Sequence, residues 1–300
     1  MTAVALEVTS SGERGLRLPD GQYRPLSAWE PLRNSCSGPV FIIASGPSVA
    51  EFPMQRYDSV PMIAMNGSIA CFEAAGLRPL FYLCDDAGVA EKKSAALASG
   101  IRLARWSALN LESMQRLYEK EPQSLEADSL LLMERVNRWI GVRRRSDRSF
   151  AWSARRDPDF VMRWSLLSQT ANRIGFSRNY ARGYFNARTI AYAAVQLAYF
   201  LGFDKVFLVG VDMNSALGQF YDPAGAQVKS RLDGDFGDHI LPHFDILARR
   251  VIDPGFQVFN LSRDSRLPAE MIPKVSLEQV DDLIGSAVSQ PLAPEVGKSV

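Results

Sequence analysis

The 300-residue chain has only three cysteines, two histidines and a formal net charge of +1, and each shortage excludes something. Cys36, Cys71 and Cys84 are odd in number, lie in or beside apolar runs and show no CxxC or Cys/His spacing. That argues against a disulfide framework or a structural zinc site and reads as a reducing cytosol. A long apolar run is also lacking: 189–203, the longest apolar-rich stretch, is too short to span a bilayer and is interrupted by Gln196 and Gly202. Residues 1–11 carry Glu7 and no basic segment ahead of an apolar one, so no secretory signal is expected. Neither GxGxxG nor GxxxxGK[ST] occurs, which speaks against NAD-dependent redox and ordinary ATPase chemistry. What remains, at 47% hydrophobic and 22% charged residues, is a soluble globular composition long enough to hold a core without staples.

The near-neutral total hides an asymmetry. Residues 135–182 hold twelve arginines, no lysine and three acids (Asp147, Asp157 and Asp159), a net of +9 that leaves −8 on the rest. Trp152 and Trp164 interleave with them. Guanidinium forks suit phosphate and carboxylate, so this stretch reads either as a solvated helical surface or as a contact region for an anionic partner. Composition alone leaves nucleic acid, anionic lipid and a phosphorylated glycolipid open.

Along the chain, short apolar runs end repeatedly in small or polar residues. The run 39–44 stops at Ser45-Gly46-Pro47-Ser48, 60–65 at Asn66-Gly67-Ser68, 79–84 at Asp85-Asp86, and 205–211 at Asp212-Met213-Asn214. Helices are expected at 68–75, at 186–201 with Gly202 as its C-cap, and around 246–251, and a further strand at 257–261. This is an α/β pattern with a parallel sheet flanked by helices, whose strand ends share one edge and form one polar, concave nucleotide site. Residues 1–38 read as a partly flexible lead-in, 39–280 as a single domain, 91–173 as a helical, arginine-rich insertion or lid, and 281–300 as a mobile tail.

His239 and His243 are four apart, but Pro242 lies between them and no HExxH glutamate accompanies them, so no metal site is expected. His239 beside Asp238 is instead a candidate general base. Asp233-Gly234-Asp235 superficially resembles a metal-binding DxD clip, but no apolar strand leads into it.

Taken in order, FIIASGPSV, IAMNGSIA, LRPLFYLCDDAG, GYFNARTIAYAAVQLAYFLGFDKVFLVGVDMN, GQFYDP, ILPHFDILARR and FNLSRDSRLP resemble the lipopolysaccharide-core transferases that attach a third Kdo (3-deoxy-D-manno-oct-2-ulosonic acid) to the inner core. The layout is also similar to bacterial CMP-sialic acid sialyltransferases and to a Rossmann-like group that includes a pterin pyrophosphokinase. The resemblance implies a Rossmann-like glycosyltransferase using CMP-Kdo, with no metal or other cofactor. It implies that Gly46, Pro47 and Ser48, with Ser45, wrap the CMP phosphate, that Asn66 and Gly67 hold the nucleotide or sugar, and that Asp85, Asn186, Asn214 and Asp212 complete the site. The base would be His239, Asp212 or Asp86, and Arg178, Arg182 and Arg188 would steady the leaving phosphate around Tyr180, Tyr184 and Asn186. The implied acceptor is a Kdo-bearing lipid A or core, so Arg143, Arg144 and Arg145 would grip its anions at the cytoplasmic face of the inner membrane, with no nucleic acid involved. Transfer of another CMP-activated acidic sugar, a pyrophosphokinase, and a non-catalytic nucleotide-sugar-binding accessory protein are the alternatives.

Overall fold

A computed structural model describes residues 3–214 and 232–285 of the chain. At its centre stands a seven-stranded sheet, built from β4 (Pro39–Ile43), β5 (Met62–Met65), β6 (Phe81–Cys84), β7 (Trp106–Leu109), β8 (Leu130–Leu132), β11 (Lys205–Val209) and β12 (Gln257–Asn260) in the order β12-β11-β4-β5-β6-β7-β8. Every pairing in it is parallel. Parallel strands need crossovers that cover both faces, which is why these strands read as continuous apolar runs rather than alternating ones. Side chains still alternate in direction: Val40 and Ile42 of β4 pack on one face and Phe41 and Ile43 on the other.

The first face is covered by α6 (Ile190–Leu201), α8 (Leu241–Arg250) and part of the arginine-rich stretch. The second is covered by α1 (Ile69–Ala75), α3 (Ser94–Leu103), α4 (Leu111–Tyr118) and α9 (Leu277–Gly285). Short helices α2 (Ala87–Lys92) and α7 (Leu232–Asp235) complete this part of the fold. Almost all of α6 is buried, which explains its lack of a polar face, and Gly202 ends it in the left-handed conformation expected of a C-cap. Gln196, a polar break in that apolar run, is fully buried and fully bonded. Its Oε1 accepts from the Ser177 and Phe185 amides, both at 2.9 Å, and its Nε2 donates to the Phe185 and Tyr192 carbonyls.

Two expectations are corrected. Residues 1–38 are not a bare lead-in: β1 (Ala5–Val8), β2 (Arg14–Arg17) and β3 (Tyr23–Pro25) form an antiparallel sheet that buries Val4, Leu16 and Leu18 against the second face. Nor is 91–173 one helical insertion, because α3, β7, α4 and β8 are integral to the central sheet. Strands of three or four residues such as WSAL and LLL are too short to show a period in the sequence. What departs from the sheet is the segment between β8 and α6, with α5 (Asp147–Ala154) and the antiparallel pair β9 (Phe160–Met162) and β10 (Gly175–Ser177). It returns at Tyr184, whose amide donates to Glu134 O and whose carbonyl accepts from Val136. Of the tail expected at 281–300, residues 281–285 belong to α9, and the rest lies outside the described residues.

Candidate active site

The strand order reverses between β4 and β11: the chain winds one way from β4 to β8 and the other way through β11 and β12. Such a switch point opens a crevice at the carboxyl ends of the strands. Ser45 to Ser48 leave β4 at this crevice, and Asp212 to Asn214 follow β11 there. The expected clustering of strand ends is what the fold produces.

Accounting for the turn's amides changes its role. The Gly46 N–H donates to Gly210 O at 2.9 Å, Pro47 has no N–H, and the Ser48 N–H donates to Asp212 Oδ2 at 3.1 Å. The Ser48 hydroxyl donates to Asp212 Oδ1 at 2.5 Å and lies 2.8 Å from the Ser262 hydroxyl. The turn leads into a single 3-10 turn, Pro47–Glu51, rather than an α-helix. The Gly46 and Ser48 donors of the turn expected to wrap a phosphate thus clamp β4 to β11 in this structure. Among the described residues, no hydrogen bond engages the Ser45 hydroxyl.

Asp212 is 5% exposed, and its carboxylate is consumed by Ser48. Its backbone is pinned as well: Arg266 N donates to Asp212 O at 3.1 Å, and the Ser265 hydroxyl donates to Val211 O at 2.6 Å. Met213 is held at a φ of +55° and Asn66 at +47°. Left-handed backbone at non-glycine residues, repeated on one edge, marks a place where structure is spent on geometry. Asn66 Oδ1 is buried without a hydrogen-bond partner, while the Asn66 carbonyl accepts from the Tyr82 hydroxyl at 2.9 Å. Gly67 is buried behind it, and Asn214, half-buried, is the last residue described before 215–231. The GQFYDP motif lies outside the described residues.

A second cluster forms at the ends of β6, β7 and β8. Asp85 accepts from Arg135 through both carboxylate oxygens at 3.0–3.3 Å, from Asn110 at 2.6 Å and from Asn186 at 3.2 Å. Burial alone would weaken the Arg135 charge, but the Asp85 carboxylate reverses this and holds its pKa above the usual value. Under this pair sit Tyr180 and Tyr184, stacked at 5.6 Å. Burial pushes both phenols well above the ordinary tyrosine range, and Asp85 adds to the effect. Neither hydroxyl makes a well-formed hydrogen bond.

The three candidate bases fare differently. Asp86 is exposed and serves as the N-cap of α2, accepting from the Gly88 N–H at 2.8 Å. Asp212 is committed to Ser48. His239 is half-exposed on the π-helical turn Phe236–Ile240, and its Nε2 lies 4.0 Å from Asp235 Oδ1, so the neighbouring carboxylate is Asp235 and not the expected Asp238. Arg266 links this turn to the crevice, with its guanidinium 4.1 Å from the Phe236 ring centroid and its amide on Asp212 O. His243 is buried, and its Nδ1 bonds the His239 carbonyl at 2.6 Å.

The arginines divide. Arg188, at φ +63°, is exposed and donates its N–H to Asn186 Oδ1 at 2.7 Å, which ties it to the Asp85 cluster. Arg182 is instead paired with Asp157 at 2.8 Å and Asp159 at 2.9 Å, and Arg178 leans on the Pro158 carbonyl. Among the described residues, no hydrogen bond or ion pair joins these two to Asn186. Arg144 pairs with Asp147, Arg145 bonds Ser149, and Arg143 is exposed with no acidic partner among the described residues. Asn110, Arg135 and Ser262 escaped the sequence reading. All three lie just beyond a strand, as the other site residues do; β7 and β8, which lead to Asn110 and Arg135, are not visible as strands in the sequence, whereas Ser262 follows the expected strand at 257–261 and only its bond to Ser48 marks it.

The family model described as 3-deoxy-D-manno-octulosonic acid transferase WaaZ matches residues 31–278. A probable 3-deoxy-manno-octulosonic acid transferase of Salmonella typhimurium (strain LT2) is 24% identical over 252 residues, covering 81% of this chain and 88% of its own length. Its counterpart in Escherichia coli (strain K12) is 24% identical over 250 residues, covering 83% and 86%. Among solved structures, the MAf glycosyltransferase from Magnetospirillum magneticum AMB-1 aligns at a TM-score of 0.44 and 17% identity over 78% of this chain and 34% of its own. The sialyltransferase CstII from Campylobacter jejuni, solved with a CMP-3FNeuAc substrate analogue, aligns at 0.38 and 12% over 79% and 84%. With its matched segment running from the start of the central sheet to α9, this chain belongs to the WaaZ family of 3-deoxy-D-manno-octulosonic acid transferases.

Proposed function

We propose that this Kdo transferase takes Kdo from CMP-Kdo and attaches it to a Kdo-bearing lipid A or inner-core acceptor, at the carboxyl edge of the sheet across the β4/β11 crevice. The observation that carries this placement is the buried, unpartnered Asn66 Oδ1 at the end of β5, the strand paired with β4, from which the Ser48–Asp212 clamp departs. A buried acceptor without a donor costs about 1–3 kcal/mol, which a ligand amino or hydroxyl group would recover. Asn66 then holds the nucleotide or sugar, and the uncommitted hydroxyl of Ser45 faces the phosphate.

Chemically, the departing cytidylate gains negative charge as the anomeric bond breaks, and fixed donors must meet it. Arg135, whose guanidinium Asp85 holds at this edge, and Arg188, whose backbone N–H bonds Asn186 there, supply these donors. The acceptor hydroxyl must lose a proton. His239 is the base in this scheme, because Asp212 and Asp86 are spent on structure. Turnover proceeds without a metal, the leaving group being neutralised by guanidiniums. The enzyme works peripherally at the cytoplasmic face of the inner membrane. No helix among the described residues is long and apolar enough to cross it.

The test is transfer from CMP-Kdo, generated in situ, to a Kdo₂-lipid A acceptor, read as a one-Kdo mass increment. The wild type is expected to show the increment with or without EDTA. Asn66→Ala should lower kcat/KM by about a hundredfold and His239→Ala by about a hundredfold or more, the usual range for a lost site hydrogen bond and a lost general base. Full activity in His239→Ala would move the base elsewhere, and no increment from the wild type would overturn the donor and acceptor assignment.

A further inference from the structure

Six large apolar side chains stand exposed among the described residues, and five of them fall between β8 and α6: Ile140, Val142, Trp152, Leu166 and Leu167. Leu166 is 61% and Leu167 95% exposed, at the tip of the loop joining β9 to β10. This tip is built rather than loose. Ser165 N donates to Asn172 Oδ1 at 2.8 Å, and Asn172 Nδ2 donates back to the Ser165 and Ser168 carbonyls. The Leu167 and Ser168 amides both donate to Ser165 Oγ. The loop is bonded to itself while its two leucines point at water.

Next to the tip, Trp164 meets Trp152 of α5 at 4.8 Å between ring centroids, and the Arg155 guanidinium lies 3.3 Å from the Trp152 ring. Arg148 and Arg156 are four residues either side of Trp152, which puts Arg148 on the same helix face and Arg156 just past its end. Neither has an acidic partner among the described residues. The four acids of the segment are all paired: Glu134 with Arg14, Asp147 with Arg144 and Arg173, Asp157 with Arg182, and Asp159 with Arg182 and Arg33. The face thus offers apolar tips and an indole among uncompensated guanidiniums, with no free carboxylate.

We infer that this face is a membrane anchor, in which Leu166, Leu167 and Trp152 enter the headgroup region of an anionic bilayer while Arg148 and Arg156 engage lipid phosphates. An interfacial surface needs both parts: apolar burial supplies the depth and basic residues supply the attraction. The lack of a free acid disfavours a basic protein partner. The inference rests on the peripheral-membrane reading above and names the side chains that perform it.

The test is flotation of the full chain with vesicles of phosphatidylcholine alone or mixed with phosphatidylglycerol. The wild type is expected to float only with the mixed vesicles. L166S/L167S should partition about tenfold less at the same phosphatidylglycerol content, from the loss of two buried leucines. R148Q/R156Q should lose binding and its salt dependence together. Wild-type partitioning by L166S/L167S, or no flotation of the wild type, would overturn the inference. Transfer of Kdo to a deacylated, water-soluble acceptor is measured in parallel and should be unchanged in L166S/L167S. Loss of that activity would mean that the tip serves the site and would equally overturn it, while failure of the wild type on this acceptor would count against the transfer scheme and not the anchor.

Discussion

Gly46→Ala is expected to lower kcat/KM for Kdo transfer by at least about a hundredfold, the scale of a displacement of around an ångström in a preorganised site. The backbone at Gly46 is no obstacle, since φ is −65° and ψ is 155°, values that alanine adopts freely. Space is the obstacle. A Cβ at this position would stand well inside contact distance of both Asp212 Oδ2 and the Gly210 carbonyl. One is a backbone atom at the end of β11 and the other belongs to a carboxylate that is 5% exposed, so neither swings aside. Either the ends of β4 and β11 part, or Asp212 releases Ser48. Both outcomes displace Met213 and the turn that Arg266 connects to Asp212. Ser48→Ala, which removes only the hydroxyl donor, should cost about 1–2 kcal/mol of stability and a smaller part of the activity. Kinetics together with melting temperatures check both variants, and a near-normal kcat/KM in Gly46→Ala would remove the clamp from the site.

Between pH 6.5 and pH 4 the protein is expected to lose about 3 kcal/mol of stability through His243 alone. Burial lowers the His243 pKa from 6.5 to about 4, against smaller opposing hydrogen bonds from the His239 and Arg173 backbone. The unfolded chain therefore takes up a proton in this window that the folded chain refuses. The stabilisation is complete above the unfolded value, declines as the pH falls below it, and levels off near the folded value. Asp147, Asp159 and Asp245 act lower on the scale. Burial raises each, but hydrogen bonds from Arg144 and Arg173, from Arg182 and Asn179, and from Arg249 and Arg163 outweigh it and hold them below the usual carboxylate range. Their contribution is present above the ordinary carboxylate pKa and is lost only as the pH falls through the depressed values. Urea midpoints at pH 7 and pH 4.5 should separate clearly for the wild type and converge for His243→Gln. Equal separation in the two proteins would locate the acid sensitivity elsewhere. Because His243 Nδ1 holds the His239 carbonyl, acid loosening is expected to reach the candidate base first.

The parts of the fold visible in the sequence are those where five or so apolar residues stop abruptly at a polar pair. Such runs at 39–44, 79–84 and 205–211 became β4, β6 and β11, and their polar ends do line one edge. The parts that stayed hidden are short or distant. WSAL and LLL carry no period, so β7 and β8 were absorbed into an imagined insertion, and Asn110 and Arg135 went with them. The strands β1 to β3 are three or four residues long and rich in charge, and only their pairing shows what they bury. No local pattern announces that Ser48 and Asp212, 164 residues apart, are hydrogen-bonded, or that the Ser48 amide expected for a phosphate goes to the same carboxylate. The arginine block was legible as an excess of charge. Which arginines are paired and which are free depended on where Asp85, Asp157 and Asp245 stand in space.

The central claim is that the donor nucleotide lies at the carboxyl edge of the sheet, over the β4/β11 crevice. A crystal structure of the complex with CMP tests it most directly. The expected result is a nucleotide hydrogen-bonded to Asn66, with its phosphate between Ser45 and the Arg135/Arg188 side of the edge. CMP seated instead in the groove of about 880 Å³ at the opposite edge, among Pro61, Pro79, Arg102 and Arg105, would contradict the account.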